Sequence, residues 1–212
     1  GKGGISQIYR SLVINPPECF RSLREKWETL VGDLEEEDWR DARMAPRELA
    51  ISSRFRIIQL KYLHMAYKSP MLLHRAYPSY SPGCPKCTCP KADFFHMVWG
   101  CPAIEKFWRE VGREMSQILG REIVLTPRIA LLGIVFDLGG TRRNRTLIGI
   151  ATMIAKRDIG KNWMSHRVPS LDEWKKGMDW VSKMEEHVYQ ARGCPEKHKR
   201  IWGQWWSFYG LN

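Results

Sequence analysis

Cys84, Cys87, His96 and Cys101 lie within eighteen residues, in the spacing C-x2-C-x8-H-x4-C. Pro82, Gly83 and Pro85 put the first pair in a turn, where two thiolates can converge on one point. His96 lies on a short apolar stretch, 92–99, and Cys101-Pro102 follows at once. A helix there carries His96 and leaves Cys101 just past its end, folded back toward the first pair. Three soft thiolates and one imidazole make a closed tetrahedral set for structural zinc, with no position left for chemistry. Cys89 offers a competing C-x4-C pairing; Cys87 is preferred because C-x2-C is the commoner knuckle spacing. Cysteine is also a small core residue, and Cys19 and Cys194, without ligand-spaced neighbours, read that way. A disulfide framework is the weaker alternative, since a chain of 212 residues can bury a core without staples.

The formal net charge is +11, and it is segregated. Residues 49–92 hold seven basic residues and no acidic one, and residues 138–171 hold seven basic and one acidic. Residues 1–48 carry eight basic against ten acidic. A solvated surface ordinarily mixes signs, so two basic windows are the footprint expected of a polyanion partner. No apolar run is long enough to span a membrane, and no membrane partner is expected. The chain begins with Gly1 and is expected to be a piece of a longer protein.

The periodicity is helical almost throughout. Helices are expected at 5–12 and at 19–31, the latter with Phe20, Leu23, Trp27, Leu30 and Val31 on one stripe. The run Glu35–Asp38 suits a helix start. The clearest long helix is predicted over 47–67, with Ile51, Phe55, Ile58, Tyr62 and Met65 buried. Arg47, Arg54, Lys61 and Lys68 recur every seven residues on its other face, without acidic i,i+4 partners, and suggest phosphate tracking. Ser69-Pro70 starts a short helix over 71–75. Another helix is expected from Pro102 to about Leu119, stopped by Gly120.

The segments 123–125 and 129–136 fit either strand or buried helix. Arg142, Arg143 and Arg145 read as a basic turn, and a helix over 146–163 carries Lys156, Arg157 and Lys161. Ser170-Leu-Asp-Glu173 is a capping box opening a helix to about Tyr189. The expected fold is mainly α, a helical domain with an inserted CCHC zinc knuckle. Its segments are 1–46, N-terminal and helical; 47–120, the basic helix and knuckle; and 121–212, helical again. Lys86 and Lys91 flank the ligands and are the expected phosphate contacts of the knuckle. Tyr80, in a proline-rich loop, is a candidate base-stacking platform, as are Tyr77 and Trp163; Trp99 is assigned to the core.

Several segments, taken in order, resemble a family. They are Ser6–Tyr9; Ile57–His64, with Ser69-Pro70 and Leu73-His74; Cys84-x2-Cys87 with Phe95–Pro102 and Phe107-Trp108; Leu131–Ile134; Ala155–Ile159 with Trp163; Pro169-Ser170 with Trp174; and Ile201-Trp202. Together these resemble the C-terminal region of LINE-type (non-LTR) retrotransposon reverse transcriptases, beyond the polymerase. The resemblance implies a domain that holds template RNA or DNA near the polymerase during target-primed reverse transcription. It carries the metal ligands over as Cys84, Cys87, His96 and Cys101. Cys89 is an extra thiol relative to that pattern.

Catalysis by this segment is not expected. It contains no Asp-Asp pair for a two-metal polymerase site and no phosphate-binding G-x-x-x-x-G-K-[ST] loop. His166 and His187 are isolated. The expected partners are therefore single-stranded RNA or DNA, bound with weak sequence choice, and the rest of the parent polymerase, in the nucleus or cytoplasm. The competing reading is a zinc-stabilised protein-interaction domain that docks on the polymerase or another chain.

Overall fold

In the computed structural model the described residues are 18–49 and 52–210; they are mainly helical and include no strand. The helix expected over 5–12 lies outside them, as does the side chain of Cys19. Among them no helix is long and apolar enough to cross a membrane. The chain forms two compact units, residues 1–40 and 41–212, so the segments 47–120 and 121–212 share one unit.

In the first unit, α1 (Glu18–Val31) is the helix expected there, and Gly32 ends it at φ 82°. The next helix, α2 (Glu36–Glu48), opens on Glu36, Glu37 and Asp38, whose charges suit a helix N-terminus. Asp38 Oδ2 accepts the Glu35 amide at 3.0 Å. Arg24, held by Glu28 of its own helix at 2.9 Å, ties α1 to this start through Glu36 at 2.8 Å.

The second unit contains α3 (Ser53–Leu63), α4 (Pro70–Ala76), α5 (Pro102–Leu119), α6 (Arg142–Lys161), α7 (Leu171–Ala191) and α8 (Pro195–Tyr209). Its centre is α6, on which α3, α5, α7 and α8 all pack. Residues 147–156 are buried without a break, which a helix achieves only when every face is covered. Small residues make room for this. A Cβ on Gly149 would meet Leu49 Cδ2 at 2.6 Å, so the two backbones approach as closely as they do because Gly stands there.

Several local signals operate as read. Ser69 caps α4, accepting the Leu72 amide at 3.3 Å. Gly120, at φ 63°, stops α5 after Leu119. Ser170 and Glu173 form a reciprocal capping box at the start of α7.

Others are overruled. The helix predicted over 47–67 is two helices, α2 ending at Glu48 and α3 starting at Ser53 after Ser52 in an extended conformation. Serine competes with the helix for backbone hydrogen bonds and favours the cap position over the interior. The other end closes early because Met65 takes φ 49° and turns Tyr67 back to within 5.5 Å of Tyr62. The buried set on α3 is Phe55, Gln59, Tyr62 and Leu63, and Ile58 is only half-buried.

The ambiguous stretch 129–136 is a π turn, Arg128–Leu132, and a 3-10 turn, Val135–Leu138. Arg142, Arg143 and Arg145 are not a turn but the first helical turn of α6, capped by Thr141. Residues 195–209, which carry three tryptophans, form α8, and Trp202 and Trp205 are buried.

Candidate metal centre

The donor atoms of Cys84, Cys87, His96 and Cys101 all lie within 4.8 Å of one another; among the described residues, no other group of Cys, His, Asp or Glu does this. Cys84 Sγ is 3.8 Å from Cys101 Sγ, and Cys87 Sγ is 3.3 Å from His96 Nε2. Two sulfurs bound at about 2.3 Å on a tetrahedral ion stand about 3.8 Å apart. The Cys84–Cys101 pair therefore stands at the separation of two sulfurs on one tetrahedral ion, and the other donors lie close enough that the four could hold a metal ion. Cys89 does not join it; its thiol reaches the Lys91 carbonyl at 3.3 Å instead.

Local backbone builds this convergence. The Cys84 amide donates to the Cys89 carbonyl at 2.9 Å and the Lys86 amide points at Cys84 Sγ at 3.4 Å, closing the first loop around its sulfur. The Ala92 amide donates to the Pro82 carbonyl at 2.8 Å, fastening the loop at its base. Asp93 Oδ1 accepts the His96 amide at 2.7 Å and starts the helical segment. That segment widens to a π turn, His96–Gly100, closed by the Cys101 amide on the His96 carbonyl at 2.8 Å.

The π turn serves the H-x4-C spacing. On a regular α-helix residues five apart point about 140° away from each other, whereas the wider turn brings them toward one side. Trp108, on α5, donates its indole N–H to the Val98 carbonyl at 2.8 Å and pins the turn to the core.

Burial pushes the Cys84 thiol up to about 11. Burial acts in the same direction on Cys87, but the Cys89 amide and the neighbouring thiols outweigh it and bring Cys87 below its ordinary value. Burial holds His96 down, against the pull of Asp93, and a neutral imidazole is the form that binds metal. A bound cation would release the thiol protons and remove the cost of burying those sulfurs.

The loop that carries the Cys/His cluster is fastened to the helical body. Lys86 Nζ donates to the carbonyls of Asn162 at 2.6 Å, Trp163 at 2.9 Å and Ser165 at 2.8 Å, where α6 ends. A cation there satisfies carbonyls that a helix C-terminus leaves open. Lys86 is therefore not a phosphate contact, because its donors are spent. His166 donates from Nδ1 to the Pro85 carbonyl, so this isolated histidine adds to the same joint beside Lys86. Trp163 packs on Tyr67 at 4.9 Å and Phe94 at 6.2 Å and donates to the Lys68 carbonyl. It is part of this joint and does not serve as a base platform.

The other candidate contacts separate by environment. Arg47, Arg54, Lys61, Lys68, Lys91, Arg142, Arg143 and Lys161 are exposed, as are Tyr77 and Tyr80. The four cations at seven-residue intervals do not share a helix face: Arg47 ends α2, Arg54 and Lys61 lie on α3, and Lys68 follows it. Arg145 is half-buried, stacked 4.6 Å from the Phe136 ring. Arg157 is engaged by Asp158 at 2.9 Å. Lys156 is excluded outright. It has no exposed surface, and its ammonium donates to Gln59 Oε1 beneath the Tyr62 ring.

Sequence reasoning passed over Lys176 and Trp180, both exposed on α7. Trp180 lies off the stripe of Trp174, Met178 and Val181, and a large aromatic outside its helix's apolar stripe is the signal that marks it. No protein-family model matches the chain.

Proposed function

We propose that Cys84, Cys87, His96 and Cys101 hold one structural zinc ion, and that the chain is a non-catalytic, nucleic-acid-binding segment of a LINE-type retrotransposon reverse transcriptase. In this reading it holds single-stranded RNA or DNA with little sequence choice, beside the rest of an intracellular polymerase. The observation that carries it is the convergence of the four donors within 4.8 Å of one another, with Cys84 and Cys101 at 3.8 Å. Three sulfurs and one imidazole favour zinc over hard cations, and a closed set favours a structural over a catalytic role. The two basic windows supply the second half of the argument. Arg54, Lys61, Lys68, Lys91, Arg142 and Arg143 remain solvent-facing, where phosphates can reach them.

The test has two readouts on the purified chain. Metal analysis should find one equivalent of zinc, removed by chelation together with helicity. Binding to single-stranded RNA should be measurable at low salt and collapse steeply as salt rises. Zinc without RNA binding at any modest salt concentration would favour the protein-docking reading. A chain that holds no zinc would remove the foundation of both.

A further inference from the structure

A groove of about 430 Å³ runs where α3, α6 and α7 meet, within the usual range of ligand clefts, roughly 300–1,000 Å³. It is lined by Arg54 at the start of α3, by Arg157, Asp158 and Lys161 on α6, and by Glu173, Lys176 and Trp180 on α7. The α7 members recur at i, i+3 and i+7, so they share one face. Gly177, buried against α6, lets the two helices approach; a Cβ there would meet Ile154 Cγ2 at 2.8 Å.

The charges do not cancel. Asp158 is buried; its Oδ1 takes Arg157 at 2.9 Å and Lys161 at 3.5 Å, and its Oδ2 has no hydrogen-bond partner among the described residues. Glu173 is taken by Arg167 and by the capping box. Arg54 and Lys176 make no ion pair with a described residue and stay exposed beside the partly neutralised Lys161. Next to them Trp180 leaves 54% of its surface in water. An indole this exposed costs apolar hydration and serves no core, whereas every nucleobase has a π-face that could cover it.

We infer that this groove is a single-stranded nucleic-acid site, in which Trp180 stacks on an unpaired base and Arg54, Lys161 and Lys176 hold the flanking phosphates. The inference rests on the nucleic-acid reading above and gives it a place. It also assigns the backbone contact to three segments far apart in sequence, where the seven-residue recurrence of Arg47, Arg54, Lys61 and Lys68 suggested one helix face.

The experiment uses the full chain with zinc bound, a fluorescent 12-mer of oligo-uridylate or oligo-thymidylate, and an abasic 12-mer with the same phosphates. Trp180→Ala should weaken binding of the base-bearing strands by about five- to 150-fold, and Trp180→Tyr should restore most of it. On the abasic strand the two variants should match the parent. Arg54→Ala and Lys176→Ala should each make the salt dependence shallower by about 0.7 in the log–log slope. Phe208→Ala, which removes an exposed aromatic outside this groove, should change nothing.

If the parent binds neither strand at low salt, the nucleic-acid reading itself fails. If the parent binds with a steep salt dependence but the Trp180, Arg54 and Lys176 variants bind equally well, that reading stands and the groove assignment is overturned. Equal loss on the abasic strand in Trp180→Ala would also overturn it, because stacking would not be what Trp180 provides.

Discussion

Lys156 offers the sharpest test of the packing. Its ammonium is fully buried on α6, and burial pushes it down from 10.5 to about 7. It donates to Gln59 Oε1, and Gln59 donates onward to the carbonyls of Leu131 at 3.0 Å and Leu132 at 3.1 Å. One polar chain thus joins α6, α3 and the π turn at 128–132. Between about pH 7 and 10.5 the unfolded chain holds a proton on Lys156 that the folded chain has lost, so stability rises with pH through that window.

The slope is about 1.4 kcal/mol per pH unit. Lys156→Met removes the titration. It also orphans Gln59 Oε1, which costs about 1–3 kcal/mol at every pH. The stability difference between the parent and Lys156→Met should therefore move by about 3 kcal/mol in the parent's favour from pH 7.5 to 9.5. Urea unfolding followed by tryptophan fluorescence, with zinc held saturating, measures it; titrations shared by both proteins cancel in the difference. A flat difference across those two units would refute the burial of an easily deprotonated amine at this position.

Other outcomes follow from the same contacts. Cys87→Ala should abolish stoichiometric zinc binding while Cys89→Ala retains one equivalent, since only the first thiol joins the donor cluster; metal analysis of both variants decides it. Lys86→Met removes three hydrogen bonds at the end of α6 and should cost about 1.5–3 kcal/mol, with the salt slope of RNA binding unchanged. Gly149→Val should destabilise by about 1–3 kcal/mol or more, because the new side chain meets Leu49; thermal unfolding reads this. Glu185, buried and raised to about 7 against the opposing Trp202 hydrogen bond, is a carboxyl that prefers its proton in the folded state. Its contribution falls as pH rises from about 4.5 to 7, so Glu185→Gln should flatten stability over that window.

How much was legible follows from distance along the chain. The four candidate ligands sit within eighteen residues, and their convergence is produced by a turn, a cap and one widened helical turn, all local events. Ser69, Gly120 and the Ser170–Glu173 box act over three or four residues, and each ends or starts a helix where its chemistry indicates. The stripe of α5 was equally readable, because Ile104, Phe107, Trp108, Val111 and Ile118 repeat at helical spacing and are all buried.

The fate of the lysines was not legible. Lys86, Lys156 and Lys161 have one chemistry and fall in the same two basic windows. Lys86 is consumed by carbonyls 76 to 79 residues away, Lys156 by a glutamine 97 residues away, and Lys161 faces water. A side chain's charge is a property of its residue, but its burial is a property of whatever packs around it. Composition and spacing thus determined that this chain is helical, basic and equipped with a four-ligand set. Only the tertiary packing, by closing every face of α6 and leaving Arg54, Lys176 and Trp180 at a shared groove, decided which of its cations can meet a partner.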